Sequence, residues 1–156
     1  MPQLTRRGFV AATAILAAAP SMMHAQSTPA IHVLKDRNCG CCNAWVDILR
    51  ADGFAVTTEN SFGALLIRHK IDNGIPQEMI SCHTGEIAGY FIEGHVPPAD
   101  IRRLLDERPD AIGLAVPGMP YGSPGMGPED QREAYDVFLI RPDGTNELFT
   151  RYDAAA

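Results

Sequence analysis

Short apolar runs alternate along the chain with segments of helical periodicity. Ile31-His32-Val33-Leu34 reads as a strand, and Lys35-Asp36-Arg37-Asn38 leads out of it into a turn. Cys42, Trp45, Ile48 and Leu49 then recur at helical spacing, and Gly53 supplies the left-handed stop. Phe54-Ala55-Val56-Thr57-Thr58 is a second strand, and Phe62, Leu65, Leu66 and His69 mark a second helix ending by Gly74. Two strand-like runs follow, 78–83 and 87–92, with Thr84-Gly85-Glu86 between them as a hairpin turn. Pro97-Pro98 opens a third helix, with Ile101, Leu104 and Leu105 on its apolar face and Pro109 at its end.

A β-α-β start requires parallel strands joined by a crossover, and the later hairpin adds antiparallel ones. The pattern therefore predicts an α/β fold, a mixed sheet covered by helices in the order βαβαββα. That order, with cysteines at the start of the first helix, is the thioredoxin-like one, and it spans 31–112. From 113 to 156 the pattern changes. Val116 to Met126 is rich in Pro and Gly without periodicity, while 135–140 and 147–150 flank the hairpin signal Asp143-Gly144. This part reads as a C-terminal loop-plus-hairpin extension packed back on the domain.

The first 25 residues are an address rather than part of the fold. Thr5-Arg6-Arg7-Gly8-Phe9 followed by an apolar run to Ala19 has the form of a twin-arginine export signal, with Ala25 the best cleavage point and 26–30 a linker. The run is far short of the ~20 residues a membrane span needs. The expected location is the periplasm, with no membrane contact after signal removal. A net charge of −6 and the absence of any Lys/Arg stripe exclude nucleic acid as an expected partner.

Cys39-Gly40-Cys41-Cys42 lies between the first strand and the first helix. A helix start stabilises a thiolate through its free N–H groups and positive dipole end, so Cys39 and Cys42 form a candidate redox pair. Cys41 adds a third sulfur within one turn, which points to a soft cation or several cations bridged by sulfur. Met119 and Met126 lie in the Pro/Gly loop, where no helix or strand face demands packing, and thioethers select Cu(I). His95 follows the second hairpin strand, on the end expected near the cysteines. Ser81-Cys82-His83-Thr84 has the composition of a site, but the expected hairpin puts Cys82 near its turn, pointing away from the other sulfurs. A buried thiol, a resolving thiol and a ligand are all open for it, while His83 stands after His95 as a candidate imidazole ligand. His32 and His69 read as ordinary core or surface residues.

These residues, with Trp45 and the runs Gly89 to Pro97, Gly113 to Pro120 and Gly122 to Met126, resemble the CopG-like periplasmic copper-resistance proteins over roughly 31–126. The resemblance implies a thioredoxin domain whose extension helps bind metal, and several copper ions bridged by sulfur beside the C-x-C-C motif. It also implies interconversion of Cu(I) and Cu(II) for detoxification and export, which would require an efflux or redox partner in the periplasm. Cys39, Cys41 and Cys42 would be the cluster thiolates, and His95, Met119 and Met126 supplementary ligands. Three rival readings use the same residues: a thiol–disulfide oxidoreductase needing only Cys39 and Cys42, a structural zinc domain, and a copper chaperone without redox change. Enzymatic turnover and sequestration are both compatible with the motif.

Overall fold

The structure, a computed structural model, describes residues 29–156, so the expected signal and most of the linker lie outside the described residues. The first strand, β1 (Ile31–Lys35), buries every second side chain, as its alternating sequence requires. Helix α1 (Gly40–Ala51) follows, then β2 (Val56–Asn60), α2 (Gly63–Asp72), β3 (His83–Ile87), β4 (Tyr90–Glu93), α3 (Pro98–Glu107), β5 (Gly113–Ala115), β6 (Tyr135–Ile140) and β7 (Asn146–Tyr152). The seven strands form one mixed sheet in the order β2-β1-β3-β4-β5-β6-β7. The pairs β1–β2 and β4–β5 are parallel; the others are antiparallel.

Alternation along the strands separates two apolar layers. Ile31, Val33, Ile87, Ile92, Leu114, Val137 and Leu139 pack with Trp45, Val46 and Leu49 of α1 and Ile101 and Leu104 of α3. Ala115 and Ile140 face the other way and pack with Ile75 and Met79. In α1 the buried stripe is Cys42, Trp45, Val46 and Leu49, the i, i+3, i+4, i+7 set, while the predicted Ile48 lies at its exposed flank. Helix α2 buries only Leu66 and Lys70; of its predicted apolar face Leu66 is buried and His69 half-buried, while Leu65 and the N-cap Phe62 are exposed.

The C-terminal segment continues the sheet rather than adding a layer to it. Gly113 pairs with Phe91, and a Cβ there would overlap the Phe91 carbonyl, so only glycine lets β5 join β4. The Asp143-Gly144 turn forms as predicted between β6 and β7, with Gly144 at φ +82°.

The hairpin β3–β4 departs from expectation. Glu78 and Met79, expected to begin a strand, lie instead in a single 3₁₀ turn, Gln77–Met79, after Pro76. The chain reverses at Ala88-Gly89, with φ +50° and +85°, not at Thr84-Gly85-Glu86. Positive φ at both loop positions is the geometry of a two-residue hairpin turn matched to strand twist. Gly85 serves packing instead: a Cβ there would lie 2.8 Å from Ile31 Cδ1 and 3.5 Å from the Trp45 ring.

Candidate metal centre

The first turn of α1 organises the sulfurs. Cys39 is its N-cap, in an extended conformation, and its Sγ accepts from the Cys42 N–H at 3.2 Å. A sulfur there sits at the positive end of the helix. Cys39 and Cys42 are joined as a disulfide, while Cys41 and Cys82 are free thiols. Cys41 Sγ lies 3.4 Å from Cys39 Sγ and 4.0 Å from Cys82 Sγ.

The hairpin shift brings Cys82 here. His83 pairs with Lys35 at the end of β1 that leads to Cys39, and Thr84 pairs with Glu93 at the end of β4 that leads to His95. Cys82 therefore lies at the sheet end shared by the cysteine turn and His95, and the expectation that it points away is corrected. Its Sγ is 3.1 Å from His95 Nε2 and 3.2 Å from His83 Nδ1. Burial, reinforced by the neighbouring Cys41 thiol, pushes the Cys82 thiol up to about 12.

Both imidazoles are fully buried and stand nearly perpendicular, with ring centroids 4.9 Å apart. His95 Nδ1 donates to the Pro124 carbonyl at 2.8 Å, which leaves the Nε2 lone pair facing Cys82. Burial lowers its basicity. His83 is held well below the usual imidazole range, first by burial and then by His95 and the Lys70 ammonium. Its ring packs on Trp45 at 4.3 Å, and its Nε2 is a buried polar atom without a hydrogen-bond partner among the described residues.

Two donor groups result. Cys39, Cys41, Cys42 and Cys82 form one, and Cys82, His83 and His95 the other; within each group the donor atoms lie within 4.8 Å of one another. Cys82 belongs to both. Neither group contains a carboxylate, so the centre offers only soft and borderline donors and suits Cu(I) or Zn²⁺, not Mg²⁺ or Ca²⁺. His32 instead faces Thr57 and Glu59, and His69 faces Asn73, so neither joins the centre.

The Pro/Gly segment crosses this end of the sheet as a strap. The Ser81 hydroxyl donates to the Gly118 carbonyl, Pro124 receives His95, and Gly125 sits on the first turn of α1. Met119 follows Gly118 and is exposed; Met126 follows Gly125 and is half-buried. At Gly125, with φ +88°, a Cβ would lie 2.7 Å from Trp45 N and 2.9 Å from the Cys41 carbonyl. Gly125→Ala is expected to destabilise the protein by about 1–3 kcal/mol, because backbone is a poor partner for overpacking. Chemical denaturation of the two proteins measures the difference.

Sequence reasoning passed over Lys70 and Glu93, which are almost fully buried and paired at 2.5 Å. The one signal was a carboxylate closing the apolar run of β4.

A family described as "Protein of unknown function, DUF411" matches residues 79–126. Two solved structures resemble the chain. One, "Copper resistance protein copG- Form 1", is 46% identical, with a TM-score of 0.76 over 81% of this chain and 99% of that one. The other, "Copper resistance protein copG- Form 2", is 47% identical, with a TM-score of 0.73 over 80% of this chain and 98% of that one. No curated protein matches the chain.

Proposed function

This chain belongs to the CopG family of copper resistance proteins, and from that premise we propose that it binds copper in the periplasm as its cargo, at the joined thiol and imidazole groups around Cys82. The observation that carries this reading is the donor set itself: four cysteine sulfurs and two buried histidines converge without a carboxylate. Thiolates favour Cu(I), and imidazoles extend the site's tolerance to Cu(II). Cys39, Cys41, Cys42 and Cys82 would hold several ions through bridging sulfur, with His83 and His95 on the inner side. Met119 and Met126 would add thioethers from the strap.

The α1 N-terminus and the β1-α1-β2 crossover support a thioredoxin-like core, and the Arg6-Arg7 leader supports twin-arginine export. A redox role follows from the same atoms. Oxidation of two thiols to a disulfide releases two electrons and two protons, which reduces two Cu(II) to two Cu(I). Copper would then pass to an efflux partner, with a reductant restoring the thiols. The Cys82 thiol is protonated at neutral pH in the metal-free protein, so copper entering there must displace a proton.

The Cys39–Cys42 bond favours one second reading, a thiol–disulfide oxidoreductase using that pair alone. Cys41→Ser separates the two. Copper content of protein purified from copper-fed cells is expected to be several ions per chain in the wild type, and to fall by at least half in the variant. An intact Cys39–Cys42 disulfide with no copper in either protein would favour the oxidoreductase.

A further inference from the structure

Behind the centre, on the opposite face of the sheet from His83, lies a buried ion pair that touches none of the donor atoms. Lys70 of α2 reaches through to Glu93 at the end of β4, and both side chains are about 1% exposed. Glu93 accepts hydrogen bonds on both oxygens. Its Oε1 accepts from Lys70 Nζ at 2.5 Å and from the Ser81 N–H at 2.6 Å, and its Oε2 accepts from Thr84 Oγ1 at 2.6 Å. Burying two charges costs more than packing apolar side chains of the same size, so such a pair is a poor way to gain stability alone. What it does here is geometric. Ser81 and Thr84 bracket Cys82 and His83, and the Ser81 hydroxyl in turn donates to the strap at the Gly118 carbonyl. One carboxylate thus ties α2, the residue before Cys82, the start of β3 and, through Ser81, the strap.

We infer that Glu93 is a positioning clamp for the copper centre: its side-chain oxygen holds the Ser81 amide, and thereby holds Cys82 within reach of Cys41 and His95. Glu93 is a positioning residue, since it bonds to Ser81 and Thr84 and to no donor atom, and Lys70 serves it as counter-ion. The inference rests on the copper reading above. It adds that an acceptor oxygen at 93, charged or neutral, is what the centre needs, and that Lys70 is the counter-ion that offsets the burial of the native carboxylate.

Two double variants separate position from charge. Lys70→Met/Glu93→Gln removes both charges but keeps an oxygen for the Ser81 amide. Lys70→Met/Glu93→Met removes charges and oxygen together and leaves an apolar pair that packs without a buried ion. Two readouts are taken on each full chain: hydrogen exchange at the Ser81 amide without metal, and Cu(I) affinity by chelator competition on the reduced protein. In the Met/Met protein, Ser81 exchange is expected to quicken at least about tenfold and Cu(I) affinity to fall at least about tenfold, the usual effect of losing an outer partner of a ligand. The Met/Gln protein is expected to stay within about threefold of wild type in both, well inside that range. Wild-type Cu(I) affinity in the Met/Met protein, or equal losses in both variants, would overturn the clamp and leave the copper reading standing. A wild-type protein that takes up no Cu(I) would overturn both together.

Discussion

Reduction of the Cys39–Cys42 disulfide is expected to raise affinity for Cu(I) at least about a hundredfold, since losing an outer-shell partner alone costs 10–100-fold and here two direct donors are at stake. The disulfide engages two of the four sulfurs in the thiol group, leaving Cys41 and Cys82 as thiols. A sulfur in a disulfide has no thiolate to offer a metal. The disulfide form therefore retains two thiols and two imidazoles, a sparser set that cannot bridge several ions through Cys39 and Cys42. Competition with a chromogenic Cu(I) chelator, run anaerobically on oxidised and reduced protein, reads the difference directly. Equal affinity in both states would take Cys39 and Cys42 out of the ligand set. The expected linkage also has a mechanistic side. Under the proposed function the same two thiols would bind copper when reduced and supply two electrons when oxidised, so a chain that had reduced two Cu(II) would also have weakened its hold on the product. Release to a partner would then be coupled to the redox step without a change of fold.

Four of the six donors of this centre, Cys39, Cys41, Cys42 and His95, were legible in the sequence. A cysteine at a strand-to-helix junction is placed by local rules alone: the N-cap conformation and the free N–H groups of the first turn put Cys39 and Cys42 together. Cys82 was not legible, because its place depends on hairpin register, and moving the turn from 84–86 to 88–89 relocates everything around it. The run 78–83 has the apolar content of a strand, and Thr84-Gly85-Glu86 has the glycine of a turn. Yet Gly85 is needed for the close approach of Ile31 and Trp45, a tertiary demand with no local signature. The turn falls instead on Ala88-Gly89, where a non-glycine residue takes φ +50°. Glu93 and Lys70 were hidden for a related reason. Their partnership spans α2 and β4, and within each element alone a buried charge contradicts the hydrophobic pattern. The strap was legible as irregular and packed back on the domain, but its particular contacts with Ser81, His95 and the first turn of α1 were not, because all are long-range.

The hairpin register gives Cys82 its weight, and Cys82→Ser tests it. Cys82 is the only residue shared by the thiol and the imidazole groups, with His95 at 3.1 Å, His83 at 3.2 Å and Cys41 at 4.0 Å from its sulfur. A serine keeps the volume and a hydrogen-bonding atom but replaces a soft donor by a hard, neutral one that Cu(I) disfavours. Loss of a ligand at the edge of a cluster would remove one ion; loss at the joint separates the two halves. Cys82→Ser is accordingly expected to lose most of its copper and to weaken what remains by about a hundredfold or more, the upper end of an outer-shell loss. Met119→Ala is expected to change far less, because an exposed neutral thioether contributes one weak bond at the surface. Copper content and chelator competition measure both, and circular dichroism on each protein shows that the sheet is intact. Full copper retention by Cys82→Ser would confine the metal to the 39–42 turn and leave the buried histidines as structure. Loss as deep as that of Cys41→Ser or deeper would instead make the sheet end, rather than the motif alone, the unit that binds.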